Sequence, residues 1–371
     1  MKICHVIYIP RLSGAEILVR DLAISHARLG HQVSVIALSP SEDSFLTQIS
    51  YLQDNGVESF TPSRKIDKIS RVKFLVKKIN RCSPDVIVAH SVIPSAYTRL
   101  SLKWTTLQNI PVISVLHDGS QNDYSSLYFR LLEKYFIPSP SCVIALTDIA
   151  KANYQRLIGN KVNVEIVPNG IHLNIFSKSQ EIRKEVRSQV FSAQDNECVY
   201  LQVGRLQKTK QQDLSIKAFI QACQTPSFSG KLFLAGLVED IDFENYLKSL
   251  IKDSDAAHRI MILGPRSDIP DLLAGADVYL MPSKQEAHSV AFLEALASGI
   301  TILASNISSF EFGLQFSGIE LLETNCMDLW RGKISQSSPM AIGKRWVRNL
   351  QYFGVDKMAS KYESLFESLT S

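Results

Sequence analysis

The 371-residue chain has no C-x-x-C pair among its six cysteines, no low-complexity tract, and no apolar run approaching the roughly 20 residues a bilayer span requires. The cysteines, at 4, 82, 142, 198, 223 and 326, sit singly and mostly inside apolar runs. That scatter disfavours a disulfide framework or a zinc site and fits a reducing cytosol. The opening "MKICHVIYIP" lacks the longer apolar region and small-residue cleavage site of a signal peptide, and reads as a first β-strand. No internal repeat stands out beyond a coarse doubling of the whole pattern.

What is present is ordinary in bulk: 45% apolar and 20% charged residues fit a globular protein. The length exceeds the roughly 250 to 300 residues at which single cores stop growing, so two domains are expected. Charge is asymmetric. Residues 1–180 carry 20 Lys and Arg against 13 Asp and Glu, and the remainder carries 20 against 23. Much of the excess lies in "SRKIDKISRVKFLVKKINR", where eight basic residues accompany the single acid Asp67.

Along the first half, short β-branched runs alternate with amphipathic segments, the signature of βαβ units around a parallel sheet. The strands read at 3–9, 32–38, 57–60, 85–90, 112–117, 142–147 and 164–167, with helices at 16–29, 45–55, 66–81, 95–108 and about 124–136. A polar stretch from Leu173 to Glu197 interrupts the rhythm and holds a short helix. Strands then return at 199–203, 231–235, 259–263, 278–281 and 301–304, with helices at 211–222, 243–252, 269–274 and 289–297. Two doubly wound sheets therefore follow one another. Such sheets bind ligands outside the carboxyl ends of their strands, so two facing each other would form a cleft. The final "FGVDKMASKYESLFESL" carries an apolar stripe at Met358, Tyr362, Leu365, Phe366 and Leu369 that must dock somewhere.

Two clusters carry chemistry. In "SKQEAHSVAFLEALASG" Glu286 and Glu294 have seven residues between them, none charged. Ser289 is a plausible N-cap and Gly299 a plausible stop, so a helix begins between the acids. Its N-terminus is a ready anion site beside Glu286, and Glu294 stands about 7.5 Å further along by rise. In "VGRLQKTKQQDLSIKAF", Arg205 follows a strand end and Lys210 precedes the next helix. Both residue types suit phosphate, Arg as a fork and Lys as a point charge. The plainer reading, solvated turn residues, holds for either cluster alone.

Taken in order, "GRLQKTKQQDLSIKAF" and, about eighty residues later, "GADVYLMPSKQEAHSVAFLEALASG" resemble the retaining nucleotide-sugar glycosyltransferases of the GT-B fold, glycosyltransferase family 4. "SGAEILVRDLAISHARLGHQVSVIA", "DVIVAHS", "PVISVLHDG", "VPNGIH" and "MASKYESLF" extend the resemblance over nearly the whole chain. The resemblance implies that Arg205 and Lys210 hold the donor diphosphate, that Glu294 takes the ribose hydroxyls and that Glu286 takes those of the transferred sugar. Gly14 would bring backbone N–H groups to the phosphates, and His117 would face the transferred sugar near the reacting centre. His288, Ser289 and Val290 would complete the donor site.

Departures from the family pattern are specific. Ala287, His288 and Ser289 stand for Gly-Phe-Gly, Gln211 for a glycine, Ser13 for the first glycine of a pair, "AGLVED" for a glycine-rich donor loop and "SNISSFEF" for a glycine pair followed by an acid. His288 reads either as a polar ligand of sugar or phosphate or as a packed substitute for Phe. Asp253 and Asp255 form a D-x-D in a polar turn that reads as solvated loop, so no metal and no cofactor are expected, with Arg and Lys neutralising the diphosphate.

The reading is an α/β GT-B protein: residues 1–175 an acceptor-binding Rossmann-like domain, 176–352 a donor-binding one, and 353–371 a helix returning to the first. The activity implied is metal-independent, retaining transfer of a hexose-type sugar, with a UDP-sugar favoured as donor and GDP-mannose the other candidate. The acceptor would be a hydroxyl of a glycan or lipid-linked saccharide in cell-surface polysaccharide synthesis. Rivals are an epimerase or hydrolase and a non-catalytic sugar-nucleotide-binding partner. The basic helix at 64–81 reads as a solvated face or as a contact for an anionic membrane surface, which would make the protein cytoplasmic and peripheral. No nucleic-acid partner is expected.

Overall fold

The computed structural model describes residues 1–117, 124, 126–135 and 141–370. Two compact units divide the chain, one of residues 1–171, 286–290 and 352–371, the other of 172–285 and 291–351. The first contains β1 (Lys2–Ile7), β2 (Gln32–Ala37), β3 (Val57–Phe60), β4 (Val86–His90), β5 (Val112–Leu116), β6 (Ser141–Ala145) and β7 (Asn163–Ile166). Between them run α1 (Gly14–Arg28), α2 (Leu46–Asp54), α3 (Lys68–Cys82), α4 (Val92–Leu102), α5 (Leu127–Tyr135) and α6 (Asp148–Ile158). All pairings are parallel, in the order β3-β2-β1-β4-β5-β6-β7. Strands covered on both faces favour near-continuous apolar runs, and β4 and β5 are buried throughout, with His90 and Ser114 their polar positions.

The second unit holds α7 (Gln180–Gln189), β8 (Cys198–Val203), α8 (Gln212–Ala222), β9 (Gly230–Ala235), α9 (Ile241–Lys252), β10 (Ile260–Gly264), α10 (Ile269–Gly275), β11 (Val278–Met281), α11 (Val290–Ala297), β12 (Thr301–Ser305), β13 (Ile319–Leu322) and α12 (Met327–Ala341). Its sheet is also parallel, ordered β10-β9-β8-β11-β12-β13. Elements α6, α12 and β13 are absent from the sequence reading.

The last helix, α13 (Val355–Thr370), packs within the first unit. Met358, Tyr362 and Phe366 are buried in one cluster with Leu18 and Leu22 of α1 and Ile3 of β1, and Leu365 and Leu369 pack against it. Gly170 of "VPNGIH" makes this possible, since a Cβ there would lie 2.7 Å from the Gly354 carbonyl oxygen. The apolar positions of α3 are unevenly covered. Within that helix Leu75 and Ile79 are buried while Ile69 is 69% exposed. Three of its cations lie over aromatic rings: Arg71 is 5.3 Å from the Tyr8 ring centroid, and Lys78 and the exposed Arg81 are 4.3 and 4.9 Å from that of Phe60.

One fully buried carboxylate organises the second unit. Asp277, just ahead of β11, accepts hydrogen bonds from Val199 N at 2.9 Å and Gly343 N at 3.0 Å, and pairs with Arg183 at 2.6 Å and Arg187 at 2.8 Å. Arg183, Arg187 and Arg345 also donate to carbonyls of residues 273–276, the otherwise unmatched C-terminal turn of α10. Removing the carboxylate would leave buried guanidinium charge uncompensated. Asp277→Ala is therefore expected to lower the unfolding free energy by roughly 3 to 5 kcal/mol. Urea denaturation of the full chain checks this, with Asp277→Asn falling between the two.

Candidate active site

The second sheet winds in opposite directions from β8 and β11, its central pair, so the crevice beyond their carboxyl ends is the topological switch point. Both chemical clusters lie there. Arg205 and Lys210 follow β8, and Glu286 and Glu294 follow β11. A backbone bond from Lys284 N to Thr209 O, 2.8 Å, ties the two exits together. The β8 exit is held by two buried glutamines: Gln202 Nε2 donates to Lys210 O and Gln212 Nε2 to Arg205 O, each at 2.8 Å. Arg205 pairs with Glu239 at 3.0 Å, and both side chains are about one-third exposed, at 33% and 36%. Such a pair contributes only about 0 to 1 kcal/mol, so an arriving phosphate can take the guanidinium over.

Two backbone facts explain how the departures from glycine are accommodated. Gln211, at the start of α8, sits in the left-handed region at φ +49°, the conformation that favours glycine there, and its side chain is buried. Ala287, His288 and Ser289 are not among the described residues with positive φ, so their side chains need no glycine backbone. Gly236, kept in "AGLVED", is sterically required. At φ +156° its Cβ would lie 2.0 Å from the Gly204 carbonyl oxygen and 3.2 Å from Arg205 N. It forms the floor under the β8 exit, a role sequence reading missed.

Helix α11 starts at Val290, and Glu286 and Glu294 are both half-buried. The helix is fixed from its far end. Arg348 donates to Leu296 O at 2.9 Å and Ile300 O at 2.8 Å, and Gly299 at φ +71° accepts Trp346 N at 2.7 Å. Arg348 also went unnoticed in the sequence. Burial lowers its pKa to about 10, still charged at neutral pH.

Residues 286–290 belong to the first unit. There Asn169 Nδ2 donates to His288 O at 2.7 Å, and the His288 ring lies 5.7 Å from that of Phe353. His288 and Ser289 are buried, and burial pushes the His288 pKa down to about 4, so the ring is neutral at physiological pH. Gly14 opens α1 and faces Val290, whose Cβ a Cβ on Gly14 would meet at 3.3 Å.

His117 is half-buried at the end of β5 and begins a row of imidazoles. His117 Nε2 lies 2.9 Å from His90 Nδ1, His90 Nε2 lies 3.0 Å from His5 Nδ1, and His5 Nε2 lies 3.3 Å from His26 Nδ1. Strand register produces the row. His5 pairs with Val88, two residues before His90, and His90 pairs with Val115, two residues before His117, so the rings climb diagonally across one face. Desolvation pushes the pKa of His5 down to about 3 and that of His117 to about 4. It holds His26 and His90 well below the ordinary range. Among the described residues no group of three or more His, Cys, Asp or Glu is placed to hold a metal ion.

Two consecutive parallel α/β sheets of this kind are the architecture of the GT-B fold. Residues 12–175 match Glycosyltransferase Family 4, and residues 183–311 match Glycosyl transferases group 1. The chain belongs to this glycosyltransferase family. It is 25% identical to the UDP-Gal:alpha-D-GlcNAc-diphosphoundecaprenol alpha-1,3-galactosyltransferase of Escherichia coli, over 99% of this chain and 96% of that one. It is 27% identical to the alpha-monoglucosyldiacylglycerol synthase of Acholeplasma laidlawii, over 80% and 77%. Among solved structures, Anabaena Alr3699/HepE in complex with UDP and glucose superposes with a TM-score of 0.79 at 20% identity over 100% of both chains.

The floor role of Gly236 generates a direct test. Gly236→Ala must displace the Gly204–Arg205 turn, because the obstructing atom is backbone. Nucleoside diphosphate affinity measured by calorimetry is expected to fall about tenfold or more, the ~1.4 kcal/mol or greater that a mispositioned charge-assisted contact represents. Gly264→Ala, at φ +71° with nothing within 4 Å of its Cβ, controls for backbone strain alone.

Proposed function

We propose that the protein is a metal-independent, retaining glycosyltransferase that moves a hexose-type sugar from a nucleoside diphosphate, UDP favoured, to a hydroxyl of a lipid-linked saccharide. The observation that carries the reading is the joining of the turn that carries Arg205 and Lys210 to the exit of β11 at the β8/β11 switch point of the second unit, through the Lys284–Thr209 bond. The E. coli relative named for UDP-galactose and a diphosphoundecaprenol-linked sugar lends support to both donor and acceptor class.

In this reading Arg205 and Lys210 bind the donor diphosphate, Glu294 the ribose, Glu286 the transferred sugar, and the Gly14 backbone N–H a phosphate oxygen. His288, Ser289 and Val290 shape the loop against which the donor lies. The bond from the anomeric carbon to the diphosphate oxygen breaks, and a bond from that carbon to the acceptor oxygen forms on the same face. The acceptor proton passes to a phosphate oxygen, and nucleoside diphosphate leaves. Negative charge grows on the leaving group during this step, so fixed cations there stabilise the transition state more than the ground state. Gln211 holds the backbone that glycine would, which favours a working donor site over a binding-only one.

The test is release of nucleoside diphosphate from a panel of donors with and without a diphosphate-lipid-linked saccharide. Release is expected to require acceptor, and Arg205→Ala or Lys210→Ala is expected to lower kcat by about 100-fold. Donor consumption without acceptor would instead indicate an epimerase or hydrolase.

A membrane-borne acceptor calls for a membrane-facing surface. Helices α3 and α5 both pack against α4. On α5, Leu127, Tyr128 and Tyr135 are 67%, 61% and 70% exposed beside Arg130 and Lys134; near and on α3, Lys65, Lys68, Lys73 and Lys77 are exposed. Peripheral binding to an anionic bilayer through these faces predicts co-sedimentation with anionic vesicles at low salt. Replacing Tyr128 and Tyr135 by Ser should abolish it, and pelleting no better with anionic than with neutral vesicles would rule the surface out.

A further inference from the structure

The histidine row has a direction, and its inner end supplies it. Beyond His26 stands Glu363 of α13, with Oε1 3.7 Å from His26 Nε2 and Oε2 2.6 Å from His31 Nε2. At 3.7 Å the two atoms face each other within ion-pair range without a hydrogen bond, and neither His26 Nε2 nor Glu363 Oε1 has a hydrogen-bond partner among the described residues. Each imidazole in the row presents Nε2 toward Glu363 and Nδ1 toward His117.

A neutral imidazole donates through one nitrogen and accepts through the other, so a row joined head to tail has only two internally consistent states. Either every ring is the Nε2–H tautomer or every ring is the Nδ1–H tautomer. An ionised carboxylate accepts only. With all rings Nε2–H, the last proton points at Glu363; with all rings Nδ1–H, a lone pair on His26 faces a lone pair on Glu363. The first state wins, and the choice propagates through His5 and His90 because both rings are buried, where a reversed bond would leave two lone pairs or two protons facing each other.

We propose that the row, terminated by Glu363, locks His117 in the Nε2–H tautomer and presents its Nδ1 as a hydrogen-bond acceptor for a hydroxyl of the transferred sugar. His90, His5, His26 and Glu363 are then positioning residues, the farthest of them on the C-terminal helix. The hydroxyl contact rests on the proposed donor site; the tautomer does not. Burial disfavours imidazolium throughout the row, in keeping with rings held as neutral tautomers.

The test is ring 15N–1H correlation on the full chain labelled with [15N]histidine, its eight rings assigned with single His→Asn variants. His5, His26, His90 and His117 are expected as neutral Nε2–H tautomers near pH 7. Glu363→Gln places an amide donor opposite His26 Nε2, so an Nδ1–H population should appear at His117, and donor-saturated kcat should fall about fivefold or more with KM changed less than about twofold. An Nδ1–H or doubly protonated His117 in the unaltered protein overturns the proposal, as does a His117 signal indifferent to Glu363→Gln. A tautomer change with unchanged kcat overturns the hydroxyl contact while leaving the lock in place. Where Glu363→Gln perturbs folding, the spectrum of the unaltered protein still decides.

Discussion

The candidate site depends on the register of β8 against β11, and a single carboxylate sets that register. Asp277 N donates to Val199 O at 2.8 Å while Asp277 Oδ2 accepts from Val199 N at 2.9 Å, a reciprocal clamp at the start of both strands. From it the ladder runs Val278 to Tyr200 and Tyr279 to Leu201, and the strands end level, one at the Arg205 turn and the other at the loop leading to Glu286. Arg183 and Arg187 pair with the clamp and, with Arg345, satisfy the carbonyls ending α10, so the charge that fixes the strands also closes the helix feeding β11. A buried carboxylate is costly unless fully paired, and here it has four partners besides its own backbone bond.

The sequence conveys those parts of the fold whose burial is periodic or continuous. β3 and β11 begin and end where the β-branched runs do, and the terminal stripe of Met358, Tyr362 and Phe366 faces a core. Helix α6 escaped because only Ala150 and Tyr154 of its eleven residues are buried, leaving no stripe to read. Helix α12 escaped similarly: in a polar segment containing Gly332, burial falls chiefly on Trp330 and Ile334. Strand β13 is a four-residue edge with half-buried positions, too short to stand out. On α3 the mismatch runs the other way: Ile69 keeps the helical period without being covered, and half-buried Arg71 and Lys78 lie over aromatic rings and not in a purely solvated face.

At the site, residue identity proved a poorer guide than backbone conformation. Loss of a glycine at 211 suggests a changed loop, yet the left-handed turn persists with glutamine in it, at a strain of about 1 kcal/mol. Conversely Gly236, inside a stretch that departs from the family pattern, is the residue whose missing Cβ the loop cannot do without. Neither fact is visible without coordinates, because the first is a φ angle and the second a contact between chain segments thirty residues apart. The two clusters were legible for the opposite reason: charge isolated within an apolar helix and cations gathered at a strand exit break local rules that core-building alone would keep.

The histidines were the least legible feature. His5, His26, His90 and His117 fall at no common period, and each alone looks like a core position filled by a tolerable polar residue. Only the strand order β1-β4-β5, with each ring two residues beyond the register partner of the last, brings them into line. The same face holds Ile3, Ile7, Val86 and Val115, so apolar substitutes would fit the packing without the desolvation that imidazoles incur. A polar row joined ring to ring by hydrogen bonds in such a place is harder to account for by stability than by what stands at its ends, a half-buried histidine at a strand exit and a carboxylate on the helix that closes the unit.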